Sequence, residues 1–189
     1  MSSRHITVAT ICLVFAVVFG FVLNCLALFL KQWLIAGGKW HGLYSMLDRD
    51  GTPQSRHPLH YIGLIPIYTS GLPAYFTACS LMMVISFALY VMLVGFFIFG
   101  LVSFMLKKTK LARIGYRLVA IISLTTAVLQ ITSFIVTLAC QQMYDNRYAF
   151  DNPSVGACVY LALTSGILGF CSLGLSWFLQ RGLGGIDSQ

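Results

Sequence analysis

The chain has 189 residues, 58% hydrophobic and only 9% charged, with a mean hydropathy of +0.85 and no glutamate. Soluble domains carry about 25% charged residues, so a water-soluble globular domain is excluded and an integral membrane protein is expected, with membrane lipids as its first partners. The net charge of +7 would suit nucleic acid, but membrane topology accounts for the basic residues better, and no nucleic-acid partner is expected.

Four stretches lack Asp, Glu, Lys, Arg and His altogether: residues 6–30, 74–106, 118–139 and 155–179. A bilayer core of about 30 Å needs about 20 helical residues, so each is long enough to span. The sequence therefore predicts an all-α membrane fold, a four-transmembrane-helix bundle forming one domain over residues 1–189. The outer loops are 31–73 and 140–154, the inner loop 107–117, and a small extracellular antiparallel β-sheet is built from the first outer loop. The first stretch is too long for the apolar core of a cleaved leader, about 7–15 residues, and is read as a retained anchor helix. The second exceeds a bilayer's needs and must tilt or project beyond the lipid, the side of the large loop being preferred.

Orientation follows from Lys and Arg. Lys107, Lys108, Lys110, Arg113 and Arg117 crowd the link between the second and third stretches, and Arg4 and Arg181 fall on the same side. That side is expected to be cytoplasmic, with both termini there, in a multi-pass protein of the plasma membrane.

In chain order, Asn24 in the first helix is polar enough to seek a partner helix, and packing is favoured over a ligand role. The interval from Lys31 to Gly71 is the one long polar break, and it is rich in aromatics: Trp33, Trp40, Tyr44 and Tyr68. Gly37-Gly38 between two branched and aromatic runs is a hairpin signal, and Asp50-Gly51 offers another turn. Residues 31–36, 39–47 and 59–70 are expected as strands. Leu64-Ile65-Pro66-Ile67-Tyr68 is apolar on both strand faces and needs a helix end, the interface or a partner to cover it. Pro73 suits the first turn of the second helix, whose aromatics, Tyr90 and Phe97 among them, are lipid-facing bulk or bundle packing. In the third helix, hydroxyls can bond back to their own backbone, and Gln130 is assigned an interhelical hydrogen bond. In the second loop, alternation over 143–148 suits a short strand at the edge of the first loop's sheet. The fourth helix carries small residues at Ala162, Ser165, Gly166, Gly169, Ser172 and Ser176, a spacing that admits close helix approach; Gly166 and Gly169 are assigned to that seam.

Of six cysteines, Cys12, Cys25, Cys79 and Cys171 fall within spans and are read as small hydrophobes. Cys140 and Cys158 fall at the outer mouths of the third and fourth helices. Two readings stay open for them: a disulfide closing the second loop in an oxidising compartment, or free thiols. His57 and His60 with His41 resemble metal ligands only loosely, because no cysteine joins them and their spacing is not diagnostic; no metal or cofactor is expected. Hydrolase triads, phosphate loops and paired carboxylates are missing from the sequence, and no ionisable residue of the kind that marks proton or ion paths lies in a span. The chain is therefore read as a non-enzyme.

Trp33 after the first helix, then Gly42-Leu43-Tyr44 where a Gly-Leu-Trp would stand, together with four spans and a large first outer loop, resemble the claudin-like tetraspan superfamily: claudins, peripheral myelin proteins and stargazin-type auxiliary subunits. The resemblance implies that Trp33, Leu43 and Tyr44 anchor the loop sheet over the outer end of the bundle. The loop's own residues, Trp40, Gly42, Ile65 and Tyr68 with Trp33, Leu43 and Tyr44, are read as a structural or partner-facing surface that needs covering. The first loop lacks the family's bonded cysteine pair, and Ile186-Asp187-Ser188-Gln189 lacks the apolar last residue of a scaffold-binding tail. The expected function is an interaction protein whose partner is another integral membrane protein: a channel, a receptor or another copy of itself. An auxiliary subunit of a larger channel or receptor complex is the first expectation. The alternative is a cell–cell junction protein forming a paracellular barrier or pore, with Lys31, Lys39, Asp48, Arg49 or Asp50 setting charge preference. A small membrane transporter or enzyme is the third.

Overall fold

A computed structural model describes residues 3–30, 32–36, 39–41, 46–47, 74–148 and 154–184. The expectations placed on Lys31, Gly42, Leu43, Tyr44, Asp48, Arg49, Asp50, His57, His60, Ile65, Tyr68 and the last five residues lie outside them. Four helices dominate: α1 (Ser3–Phe29), α2 (Ala74–Met105), α3 (Thr109–Tyr148) and α4 (Ala157–Gly184). All four are long and apolar enough to cross a membrane. Four short strands accompany them: β1 (Leu34–Ala36), β2 (Lys39–His41), β3 (Met46–Leu47) and β4 (Ser154–Val155).

The helices are apolar on the faces they bury and on the faces they do not. In α1, Ile6, Ala9, Leu13 and Val17 are buried, while Phe15, Phe19 and Val22 are exposed, Phe15 at 68%. A helix apolar all round is a core or membrane helix, and exposure on this scale identifies lipid as the solvent. With no water to bond free amides and carbonyls, the helical ladder is the form in which such stretches survive. Hydroxyls are absorbed in the same way: Thr126 Oγ1 donates to Ile122 O (2.7 Å) and Thr137 Oγ1 to Ser133 O (2.8 Å).

Two boundaries differ from the sequence expectation. The inner loop expected over 107–117 shrinks to the short turn before Thr109, so Lys110, Arg113 and Arg117 belong to α3. Charge excluded them from an apolar span but does nothing against helix, since Lys and Arg are good helix formers. At the far end α3 continues to Tyr148, where a strand over 143–148 was expected. Its polar residues leave the apolar run without breaking the ladder, and neither Gly nor Pro interrupts 141–148. The strand from the second loop is instead Ser154–Val155.

The turn into α3 has a definite geometry. Lys107 N bonds Phe104 O (3.0 Å) and Lys108 N bonds Ser103 O (2.9 Å), the bond pair of a Schellman cap with Lys107 at its left-handed position. Lys107 has φ 57°, a conformation that costs an L-residue about 1–2 kcal/mol.

Contacts group into two units, each drawing on all four helices: Met1–Val22, Ala88–Val128 and Ser165–Gln189 form one, Leu23–Phe87 and Leu129–Thr164 the other. The first unit has a core of Leu13, Val17, Tyr90, Leu93, Tyr116 and Leu179. Its helices meet at glycines. A Cβ on Gly115 would come within 2.7 Å of Gly100 Cα, and one on Gly169 within 3.0 Å of Ala127 Cβ. Gly20 faces the Tyr90 hydroxyl, which bonds Ser165 O at 3.4 Å, while Ser165 Oγ donates to Gly20 O at 2.7 Å. These contacts join α1, α2 and α4. The buried stripe of α4 includes Ser165, Gly166, Gly169, Ser172 and Ser176.

Two stability changes are expected. Lys107→Gly removes the left-handed strain and raises stability by about 1 kcal/mol, read as a higher apparent melting temperature in detergent. Gly115→Ala forces α2 and α3 apart and costs about 1–3 kcal/mol; an unchanged melting temperature would contradict the close crossing.

Candidate functional site

The second unit carries the strands. β1 pairs antiparallel with β2, Leu34 opposite His41 and Ala36 opposite Lys39, which leaves two residues between the strands. β2 pairs with β3, and β1 pairs on its other edge with β4, Leu34 opposite Val155 and Ile35 opposite Ser154. The order is β3-β2-β1-β4. Strands close in sequence are thus joined to the segment that leads into α4.

This arrangement is held where α1 runs out. The last carbonyls of a helix have no partner within it. Here the indole N–H of Trp33 donates to Ala27 O, and Cys158 Sγ lies 3.6 Å from Leu30 O as a weak donor. Trp33 turns back onto the helix it follows and caps it with a side chain. It is fully buried, in a cluster with Ala27, Leu28, Cys79, Met83, Cys158 and Val159. The start of α4 has the opposite deficit, unpaired N–H groups. Cys158 N donates to Gln32 O (3.0 Å) and Gly156 N to Trp33 O (2.9 Å). A side chain at position 156 would collide with the Gln32 carbonyl, so the two chain segments can touch only because residue 156 is glycine.

A polar pair is buried among these helices. Gln130 Nε2 of α3 donates to Asn24 Oδ1 of α1 at 2.9 Å, and both residues are fully buried. The sequence singled out each without pairing it with the other. Nearby, Ser133 Oγ donates to Cys79 O at 3.2 Å, joining α2 to α3. Edge-to-face aromatic pairs, Phe29 with Phe87 and Phe134 with Tyr160, complete the packing.

All six cysteines are free thiols, so the disulfide reading of Cys140 and Cys158 is set aside. Cys140 lies eight residues before the end of α3, about 12 Å down its axis at 1.5 Å per residue, while Cys158 is the second residue of α4. Of the loop positions assigned to partner contact, Trp40 lies in β2, opposite Ile35 and Leu47. Sequence reading missed Gly156 and Gln32, and took Tyr90 only as one of several aromatics, lipid-facing bulk or bundle packing. A glycine just before an apolar helix was the one available signal for the first, and it does not reveal what the glycine approaches.

The site is a small sheet fixed through Trp33 and Gly156 to the helix ends. The sequence profile of the family described as "Tight junction protein, Claudin-like" matches residues 1–183. The search among curated proteins returned no match.

Two substitutions test the seat. Gly156→Ala should cost about 1–3 kcal/mol through overpacking, seen as a lowered apparent melting temperature. A double-mutant cycle on Asn24→Ala and Gln130→Ala should give a coupling of about 1 kcal/mol, the scale of hydrogen bonds between membrane helices. A coupling of zero would remove the pair from the account.

Proposed function

Because the chain belongs to the claudin-like tight junction family, we propose that it is a non-enzymatic adhesion protein of the plasma membrane. It presents the sheet β3-β2-β1-β4 and its connecting loops on the outer side and keeps both termini in the cytoplasm. The observation that carries this reading is the seat of the sheet: Trp33 capping α1, and Gly156 bonded to Trp33 O. A recognition surface needs a rigid support, because ordering side chains and loops on contact costs about 0.5–1.5 kcal/mol for each rotamer-rich side chain. Here helix ends supply that support. The same-side cluster of Lys107, Lys108, Lys110, Arg113 and Arg117 supports the orientation under the positive-inside rule.

A second reading, an auxiliary subunit of a larger channel or receptor complex, is favoured by the absence of cysteine between Lys31 and Gly71. A first loop without a covalent tie suits a surface completed by a larger partner.

Cells that normally lack such contacts, transfected with the tagged full chain, separate the two. Adhesion predicts enrichment at borders between two expressing cells, and loss of that enrichment in Gly156→Val although the variant still reaches the surface. Recovery of one stoichiometric larger membrane protein in gentle detergent, with no border enrichment, would replace adhesion by the auxiliary reading. Tags after Asp50 and after Lys108 should label from opposite sides; labelling from one side would overturn the orientation.

A further inference from the structure

Within the first unit, α3 and α4 run antiparallel: Gly184 lies beside Arg113, and Gly169 beside Ala127 and Ser123. Between them lies a cleft of about 640 Å³ whose wall changes character along its length. One end is lined by Arg113, Arg117 and Arg181, the other by Ile121, Leu124 and Leu173, and among the described residues no acidic one lines it. Trp177 stands between, with the Arg181 guanidinium 5.2 Å from its ring centroid. Arg117 and Arg181 are exposed, as are Ile121, Leu124 and Trp177.

From Arg113 to Leu124 is eleven residues on α3, and from Gly184 to Leu173 eleven on α4, a length of about 16 Å. Half of a bilayer core of about 30 Å is close to that. The cleft thus has the depth of one leaflet's hydrocarbon, with cations at the headgroup end, an apolar floor at the acyl end, and an aromatic ring at the boundary, where Trp is enriched. Guanidinium groups match phosphate oxygens in a planar fork, and a basic pocket between membrane helices is a means of holding acidic lipid headgroups.

We propose that this cleft binds one acidic phospholipid of the leaflet it faces. The phosphate lies among Arg113, Arg117 and Arg181, and an acyl chain lies along Trp177, Leu124 and Leu173. Arg117 and Arg181 are the specificity-determining residues. The site depends on α3 and α4 crossing the membrane, and not on what the sheet contacts.

The test uses purified full-length protein in detergent with added phosphatidylglycerol or phosphatidylcholine, read by native mass spectrometry and by thermal shift. One phosphatidylglycerol per chain is expected to bind and to raise the melting temperature, with phosphatidylcholine much weaker. Arg117→Gln with Arg181→Gln should weaken phosphatidylglycerol binding about thirtyfold, the worth of two such charges near a membrane surface. Lys108→Gln with Lys110→Gln removes equal charge outside the cleft and should change binding less than about threefold. Equal losses in the two double variants would mean diffuse attraction and overturn the site, as would equal binding of both lipids. Glycerol phosphate, which carries the anion without chains, should give no shift at the same concentration; a full shift would remove the apolar half of the proposal.

Discussion

In the second unit the backbone of Gly156 lies against that of Gln32 with no side chain between them. The N–H of Gly156 reaches Trp33 O and that of Cys158 reaches Gln32 O, so donors left open by the start of α4 meet acceptors just past the end of α1. The open carbonyl of Ala27 in α1 is met separately, by the indole of Trp33. The burial of Trp33 and the register of β1 against β4 follow from the contact at Gly156, since residues bonded this closely leave the strands few ways to pair. A helix terminus near lipid without such partners would carry unsatisfied polar groups at several kcal/mol each. The joint therefore caps α4 and, with Trp33 folded back onto α1, seats the sheet.

Packing elsewhere obeys the economics of lipid rather than of water. Chains of Leu and Phe gain nothing by leaving a hydrocarbon solvent, so helices associate through close contact and buried hydrogen bonds. Gly115 against Gly100, Gly169 against Ala127, and Gly20 beneath Tyr90 are contacts of the first sort. Ser165 to Gly20 and Gln130 to Asn24 are of the second. Large residues such as Phe15 and Phe19 face outward. A bilayer solvent permits such side chains outside, while others as large, Trp33, Tyr90 and Tyr116, fill the interior.

The spans were legible in the sequence because lipid imposes a harsh rule on composition, and four uncharged stretches of membrane length admit few readings. The seam of α4 was legible too, because Gly166 and Gly169 stand in a row of small residues at helical spacing. Gly100 and Gly115 were not, since the meaning of each arises only from the other, on a different helix. The length of α3 was hidden for a different reason. Hydropathy marks where a helix leaves the lipid, not where it ends, and the residues from Gln141 to Tyr148 are polar without being helix breakers. Trp33 was marked only through the resemblance; nothing in its own neighbourhood announces that its indole turns back to Ala27.

The joint at Gly156 also fixes an order of events during synthesis. The turn at Lys107 and the crossing of Gly100 with Gly115 lie within a few turns of one another along the chain, so α2 and α3 can pair as a hairpin as soon as both have left the ribosome. The partners of Gln32, Trp33 and Leu34 lie more than a hundred residues downstream, at Val155, Gly156 and Cys158. Contacts of such separation form late. Until α4 is made, β1 presents a bare edge, and exposed edges of this kind invite wrong partners. A chain that stops before residue 155 therefore lacks the strand that pairs with this edge of β1 in the folded protein.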